Sequence, residues 1–484
     1  MERPFDLVVI GTGSGGAVAA EFAADVLGLR VAAVERESVG GDRLWSGSVP
    51  SKALLASAGV AHTVRHAGEF GVEVAAPRID HVAVWQRVRR VRAEMAERFV
   101  GASRLRELGV ELVPGTATVT GAREVTVDGP DGRRVLRTRY VLVATGSRPA
   151  VPDLEGLADL LALDPSPVVT TDSVFELDRP PASIVMIGGG PVGVELAQTL
   201  ARLDIPTTVV EAAPRLLPRE EPELSDRLAE VLRRDGVTLH LGSAATTVQL
   251  AEEGTPGVTV TTAAGDRVTA SGVLLAAGRV PAVDDLGLER FGIRVGPSGV
   301  PVDGRNRTIL PNLYVVGDAA AGRPRFAHAA ATDAVLAVRD MFLPGRGRAT
   351  PLVPWCTFTD PELAHAGMTA SEARHRFGDR AVVVHRRDLD VIERAVADGS
   401  ADGAVLVVTV HDRIVGAHVL APHAGELINE FALAIRLGLR LRDLGDLVHV
   451  SPTYASIIAR VAADDVYARA RRARGFVRLN RWLG

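Results

Sequence analysis

Short apolar runs alternate with glycine-rich turns and alanine-rich stretches along the first half of the chain. Phe5 to Ile10 is apolar and rich in β-branched residues, the pattern of a buried parallel strand. Gly11-Thr12-Gly13-Ser14-Gly15-Gly16 follows and opens an Ala-rich helical stretch. A second strand, Val31 to Val34, ends at Glu35. The same grammar returns at Ser183 to Ile187, then Gly188-Gly189-Gly190-Pro191-Val192-Gly193, a helix, and a strand Thr207 to Val210 ending at Glu211. This repeat predicts two nucleotide-binding domains of like architecture.

Between the two copies, Ser51 to Leu108 reads as helical, and Val110 to Val141 alternates like a β-meander with Asp-Gly turns at 128–129 and 131–132. Leu313 to Asp318 reads as a strand, and Leu343 to Pro354 as a linker. Beyond it, Ala404 to Val410 and Ile414 to Leu420 alternate like strands, and Glu426 to Leu439 is an amphipathic helix. The expected boundaries are a first cofactor domain over 1–150, a second over 151–279, a return to the first over 280–345, and a separate α+β domain over 346–484.

The chain has 484 residues and a net charge of −4, which speaks against a nucleic-acid partner. No apolar run reaches the ~18 residues needed to span a bilayer. Met1 to Gly11 enters a strand at once and leaves no room for a signal peptide, so a cytoplasmic location is expected. No His/Asp/Glu group has metal-ligand spacing, so no metal is expected. A single cysteine, Cys356, excludes any intrachain disulfide; it lies in a strand-like run and reads as a core residue. Lys52 is the only lysine among 55 basic residues.

In a G-x-G-x-x-G turn the first glycine permits the turn, the second admits a pyrophosphate, and the third lets helix and strand pack closely. Gly11, Gly13, Gly16 and Gly188, Gly190, Gly193 fill these places. Glu35 and Glu211 end the next strands at the spacing of a carboxylate that holds ribose hydroxyls. A carboxylate at Glu211 repels a 2′-phosphate and favours NADH, although Arg215 and Arg219 follow closely enough to offset it.

Val-Pro-Ser-Lys at 49–52, Ala144-Thr145-Gly146, Gly278-Arg279, Val316-Gly317-Asp318 and Phe358-Thr359-Asp360-Pro361-Glu362 complete the pattern. With them the chain resembles, over nearly its whole length, the class I pyridine nucleotide-disulfide oxidoreductases, the family of dihydrolipoyl dehydrogenase and mercuric reductase. The resemblance implies an α/β fold with two Rossmann-like domains, FAD on the first and NAD(P)H on the second, and a C-terminal α+β dimerisation domain that makes a homodimer. It implies that Gly40 and Gly41 line the FAD site, that Gly115 to Ala117 pass near the adenine, and that Asp318 bonds the ribityl chain. Ala144, Thr145, Gly146, Gly278, Arg279 and Ala327 join this cofactor set. It also implies that Lys52 sits beside the flavin and pairs with Glu195. A lysine suits that narrow buried slot better than the planar fork of arginine.

The departures from the family are chemical. Gly40-Gly41-Asp42-Arg43-Leu44-Trp45-Ser46-Gly47-Ser48 puts Arg43 and Ser48 where the family has its redox cysteines. His449-Val450-Ser451-Pro452-Thr453-Tyr454-Ala455-Ser456 puts Ser451 at the acid–base histidine and Ser456 at its glutamate. Serine forms no disulfide and is a poor base near neutral pH. A sulfur relay is therefore excluded, and His449 is left open as a substitute base.

Hydride transfer between nicotinamide and flavin needs no cysteine. The expected activity is thus an FAD-dependent NAD(P)H:acceptor oxidoreductase that reduces a small molecule directly from the flavin. Arg43, Trp45, Ser46 and Ser48, with Ser451 and Tyr454 from a second subunit, would line the acceptor pocket. An aromatic ring and an arginine suit a flat acceptor such as a quinone. A transhydrogenase-like enzyme, a biosynthetic flavin oxidoreductase and a redox-silent nucleotide sensor are the alternatives. The tail Val466 to Gly484 holds six arginines and no acids. It reads as a solvated or dimer-packed tail rather than a membrane-surface contact.

Overall fold

The computed structural model describes residues 3–252, 254–345 and 352–472. They fall into two compact units: Met1–Gly188, Thr199–Thr207 and Ala245–Thr350 in one; Gly189–Gln198, Thr208–Ala244 and Pro351–Gly484 in the other.

The first unit is built on a parallel sheet. Strand Phe5–Ile10 lies between Val31–Glu35 and the end of Gly132–Val143, pairing Val8 with Ala32 and with Val141. Glu111–Pro114 adds to the outer side of Val31–Glu35, and Leu313–Val315 adds to Gly132–Val143, both parallel. Helices and a meander cover the two faces, which is why the strands are apolar throughout. Leu7, Val9, Leu142 and Tyr314 pack with Ala19, Ala20, Ala334 and Ala337 of helices Ser14–Glu21 and Ala327–Phe342. Val8, Ile10, Val141 and Val143 pack with Val119, Val125 and Val127 of the meander. The same unit carries the parallel trio Val168–Thr170, Gly272–Leu275 and Ile184–Ile187.

In the second unit, Thr208–Glu211 runs parallel to Thr238–Leu241. Helix Pro222–Arg234 buries Leu224, Leu228, Val231 and Leu232, spaced by four, three and one as on one helix face. An antiparallel sheet runs in the spatial order Trp355–Thr357, Glu362–Gly367, Arg413–Ala421, Ala404–Val410, Val382–Asp388. Val405, Val407, Ala417 and Val419 pack against Ile428, Phe431, Ile457 and Ile458 of the helices that cover it.

Three expectations need correction. The meander comprises Thr116–Gly121, Glu124–Gly129 and Gly132–Val143 only, because Glu111–Pro114 pairs with Val31–Glu35. The helical region is broken over residues 72–80 after Gly71, whose φ of +75° ends the preceding turn. The helix expected to end at Leu439 spans Ala424–Leu437 and stops at Gly438, left-handed at φ +65°. Part of the expected linker, residues 346–351, and the tail residues 473–484 lie outside the described residues.

Candidate functional site

The glycine turn at 11–16 has a steric reason at each position. Gly11 sits at φ +90°, and a Cβ there would lie 2.6 Å from the Ala144 carbonyl oxygen. A Cβ on Gly16 would run into the Gly11 carbonyl. On Gly13 it would meet nothing nearer than Gly41 Cα at 3.8 Å, so the middle of the turn is open. This is the division of labour that a bound pyrophosphate requires. The open side faces the N-terminus of helix Ser14–Glu21, where unpaired amides favour an anion.

Glu35 is clamped onto this turn. One oxygen accepts the Thr12 amide at 2.9 Å and the Thr12 hydroxyl at 2.6 Å, and the other accepts the amides of Arg36 and Glu37. A carboxylate has about four acceptor sites, and these four bonds fill them, so a ribose hydroxyl binding here shares an oxygen or displaces one of these donors. The Gly115 amide bonds the Glu35 carbonyl at 2.9 Å, which fixes this backbone beside Glu35. The Ala117 side chain is buried in the core, so only its backbone is available there.

The segment 40–52 folds against the same turn. A Cβ on Gly41 would lie 2.5 Å from Gly13 Cα, and the Gly40 amide bonds the Thr12 carbonyl. Helices Gly41–Trp45 and Ser48–His66 meet at Gly47, where a Cβ would lie 2.7 Å from the Asp42 carbonyl oxygen. Arg43 and Ser48 are exposed, while Trp45, Ser46 and Lys52 are half-buried. The Trp45 indole N–H donates to the Val39 carbonyl at 3.0 Å, so the ring rather than its N–H is left for a ligand.

Arg279 proves to be a structural hub. Its guanidinium bonds Asp172 at 2.8 Å, the Ser147 hydroxyl at 2.8 Å and the Asp42 carboxylate. Ser147 also donates to Asp318 at 2.6 Å. Although its side chain is 51% exposed, partial loss of hydration, with Asp172 and Asp318 as like-charged neighbours, pushes Asp42 up to about 6 against the pull of Arg279. The Gly278-Arg279 motif marked the arginine but not Asp42, Asp172 or Ser147, because its partners are far apart in the chain. Beside this group the Thr145 hydroxyl is buried with no hydrogen-bond partner. Ala327 is exposed at the start of helix Ala327–Phe342. An open turn, a poised carboxylate and an orphaned hydroxyl all fit the FAD that the motifs imply.

The second fingerprint repeats the clamp. Gly188 sits at φ +114° against the Ala276 carbonyl, whereas a Cβ on Gly190 would meet nothing within 4 Å. Gly193 lies in helix Pro191–Arg202. Glu211 accepts the Gly189 amide at 2.5 Å and the Ala213 amide at 2.7 Å. Glu195 of that helix is buried and accepts the Phe358 amide at 2.8 Å. Gln198, one turn on, accepts the Asp360 amide at 2.8 Å. The fingerprint helix thus holds the 358–360 loop.

Near the C-terminus, Ser451 is exposed. Tyr454 corrects the expectation of a pocket residue: its ring is packed in the core and its hydroxyl donates to Asp398 at 3.0 Å. Ser456 is buried and donates to the Val450 carbonyl. His449 Nε2 lies 3.1 Å from Glu430. Leu433, Leu437, Leu447, Val448 and Val450 are exposed apolar residues of this unit. Cys356 is half-buried rather than fully in the core. Sequence spacing marks no metal-ligand group, but the fold brings Glu220, His365 and His418 together from distant stretches. None of the described helices is long and apolar enough to cross a membrane.

Residues 5–334 match the family model for pyridine nucleotide-disulphide oxidoreductases, and residues 353–462 match its dimerisation domain. The chain is 34% identical over 468 residues to a dihydrolipoyl dehydrogenase of Chlorobaculum tepidum, covering 95% of this chain and 97% of the relative. It is 32% identical over 482 residues to one from Bacillus subtilis, covering 96% and 99%. Among solved structures, LpdA from Mycobacterium tuberculosis superposes with a TM-score of 0.85 at 26% identity, covering 95% of this chain and 99% of that one.

Proposed function

Because the chain belongs to the pyridine nucleotide-disulphide oxidoreductase family yet has a single cysteine, we propose that it passes hydride from NADH through FAD directly to a quinone, without a disulfide relay. Members of this family are FAD-dependent NAD(P)H oxidoreductases, and the dimerisation domain makes the chain a homodimer. The observation that carries the proposal is the cysteine count. A disulfide needs two thiols, and Cys356 lies in strand Trp355–Thr357, away in sequence from segment 40–52.

FAD, when bound, supplies a ring that takes a hydride and gives it up again. The open turn at Gly13 and the helix behind it hold the pyrophosphate, and Glu35 holds the adenosine ribose. Asp318 would take the ribityl chain, and the Thr145 hydroxyl would find a partner on the cofactor. Lys52 places a compact positive charge that favours the reduced flavin. Glu195 of the second fingerprint helix has its own carboxylate held by the Phe358 amide.

Glu211 binds the nicotinamide dinucleotide's ribose and rejects a 2′-phosphate. Of the two arginines that could offset it, Arg215 Nε lies 3.6 Å from Asp226 without a hydrogen bond, and Arg219 lies 5.2 Å above the Trp355 ring. NADH is therefore the preferred donor. Arg43, the Trp45 ring, Ser46 and Ser48 form the acceptor side, with Ser451 from a second subunit. The balance is NADH, a proton and quinone in; NAD+ and quinol out.

An acceptor panel tests this reading. NADH oxidation should be rapid with menadione-type quinones and absent with lipoamide. Preferred reduction of a thio-NAD analogue would instead support the transhydrogenase reading. Reduction of lipoamide would overturn the proposal.

A further inference from the structure

The second compact unit buries a constellation that flavin chemistry does not use. Glu220 lies after strand Thr207–Glu211, His365 in strand Glu362–Gly367 and His418 in strand Arg413–Ala421. One donor atom from each lies within 4.8 Å of the others. Glu220 is 5% exposed, His365 1% and His418 0%.

The hydrogen bonds decide where the lone pairs are. His365 Nε2 lies 2.9 Å from the Gly367 carbonyl oxygen, and His418 Nε2 lies 3.1 Å from that of Met368. A carbonyl oxygen only accepts, so each Nε2 carries a proton, and Nδ1 of each neutral ring carries a lone pair. His418 Nδ1 is buried with no hydrogen-bond partner. His365 Nδ1 lies 3.1 Å from Glu220 Oε2. Two electron-rich atoms this close need either a second proton on the ring or a shared cation. The other Glu220 oxygen accepts the Trp355 indole N–H at 2.5 Å, and the Trp355 ring stacks on His365 at 3.7 Å. Glu221 also faces the group, 3.7 Å from His418 Nε2.

His365 holds its far N–H on a backbone carbonyl and turns its other nitrogen toward a carboxylate, the arrangement of a metal ligand, and His418 offers a donor atom within 4.8 Å of both. Bond lengths of about 2.0–2.1 Å around a tetrahedral ion put neighbouring ligands roughly 3.3 Å apart, close to the His365–Glu220 separation. We propose that Glu220, His365 and His418 bind a zinc-type divalent cation through Glu220 Oε2 and the two Nδ1 atoms. Such an ion compensates the buried carboxylate, satisfies the orphaned nitrogen and ties the segment at Glu220 to the antiparallel sheet. A fourth position is left for water.

The full-length, FAD-loaded protein is stripped with chelator, incubated with Zn2+ or Co2+ and desalted. About one ion per chain should remain, and Co2+ should show the visible bands of a low-coordinate nitrogen–oxygen site. His418→Gln and Glu220→Gln should each lose the ion while keeping bound flavin and its rate of reduction by NADH. Should either variant misfold, the Co2+ spectrum of the parent chain still decides. Folded parent protein that retains no Zn2+ or Co2+ overturns the proposal. So does a folded variant that retains as much as the parent, or a doubly protonated His365 ring in Zn2+-treated protein by nitrogen NMR.

Discussion

The glycine turn at 11–16 and the segment 40–52 touch each other, yet they follow different rules. In the turn, each glycine answers to a neighbouring backbone atom: Gly11 to Ala144, and Gly16 to Gly11. Segment 40–52 has the same kind of rule at its glycines, since Gly41 abuts Gly13 and Gly47 abuts Asp42. Its reactive positions answer to nothing comparable, because the side chains of Arg43 and Ser48 are exposed. Backbone sterics therefore hold the cofactor grip and the scaffold of the redox segment, while the chemistry carried on that scaffold is free to change.

The largest effect should separate two glycines of one turn. Gly16→Ala forces a Cβ into the Gly11 carbonyl and should cost on the order of 3 kcal/mol or more, with loss of bound FAD. Gly13→Ala should fold but hold FAD weakly. Thermal melts and flavin content distinguish the two, and equal destabilisation would undo the steric assignment. Next in size, Lys52→Met should retain FAD and slow its reduction by NADH about 10²-fold. Stopped-flow absorbance checks this, and an unchanged rate would remove the lysine from the mechanism.

The smallest effect concerns Asp42. Its folded pKa of about 6 lies above the ordinary 3.8, so the folded state holds its proton more tightly than the unfolded chain does. The stabilising contribution is full below pH 3.8 and is lost as pH rises through 6. Asp42→Asn cannot ionise, so its melting temperature relative to the parent should rise across that window. A flat difference would contradict the assignment.

Much of the architecture was legible because it rests on period and sterics. The two strand–turn–helix repeats and the acids at Glu35 and Glu211 follow from local pattern, and both acids prove to be clamped by the residue after the first glycine. What escaped was long-range. Glu111–Pro114 alternates like a meander strand but finds a parallel partner in Val31–Glu35. Tyr454 looked like a pocket residue because its segment resembles a catalytic one, yet its ring is in the core. Glu220, His365 and His418 carry no spacing signal, since three separate stretches must fold before they meet.

The central claim is that electrons leave the flavin without passing through sulfur. Anaerobic titration of the purified holoprotein with NADH, followed by visible absorbance, tests it most directly. The flavin should bleach in one two-electron step with no long-wavelength band from a thiolate–flavin complex, and a quinone should restore its colour. A flavin that stays oxidised under NADH, or a thiolate band on partial reduction, would contradict the account.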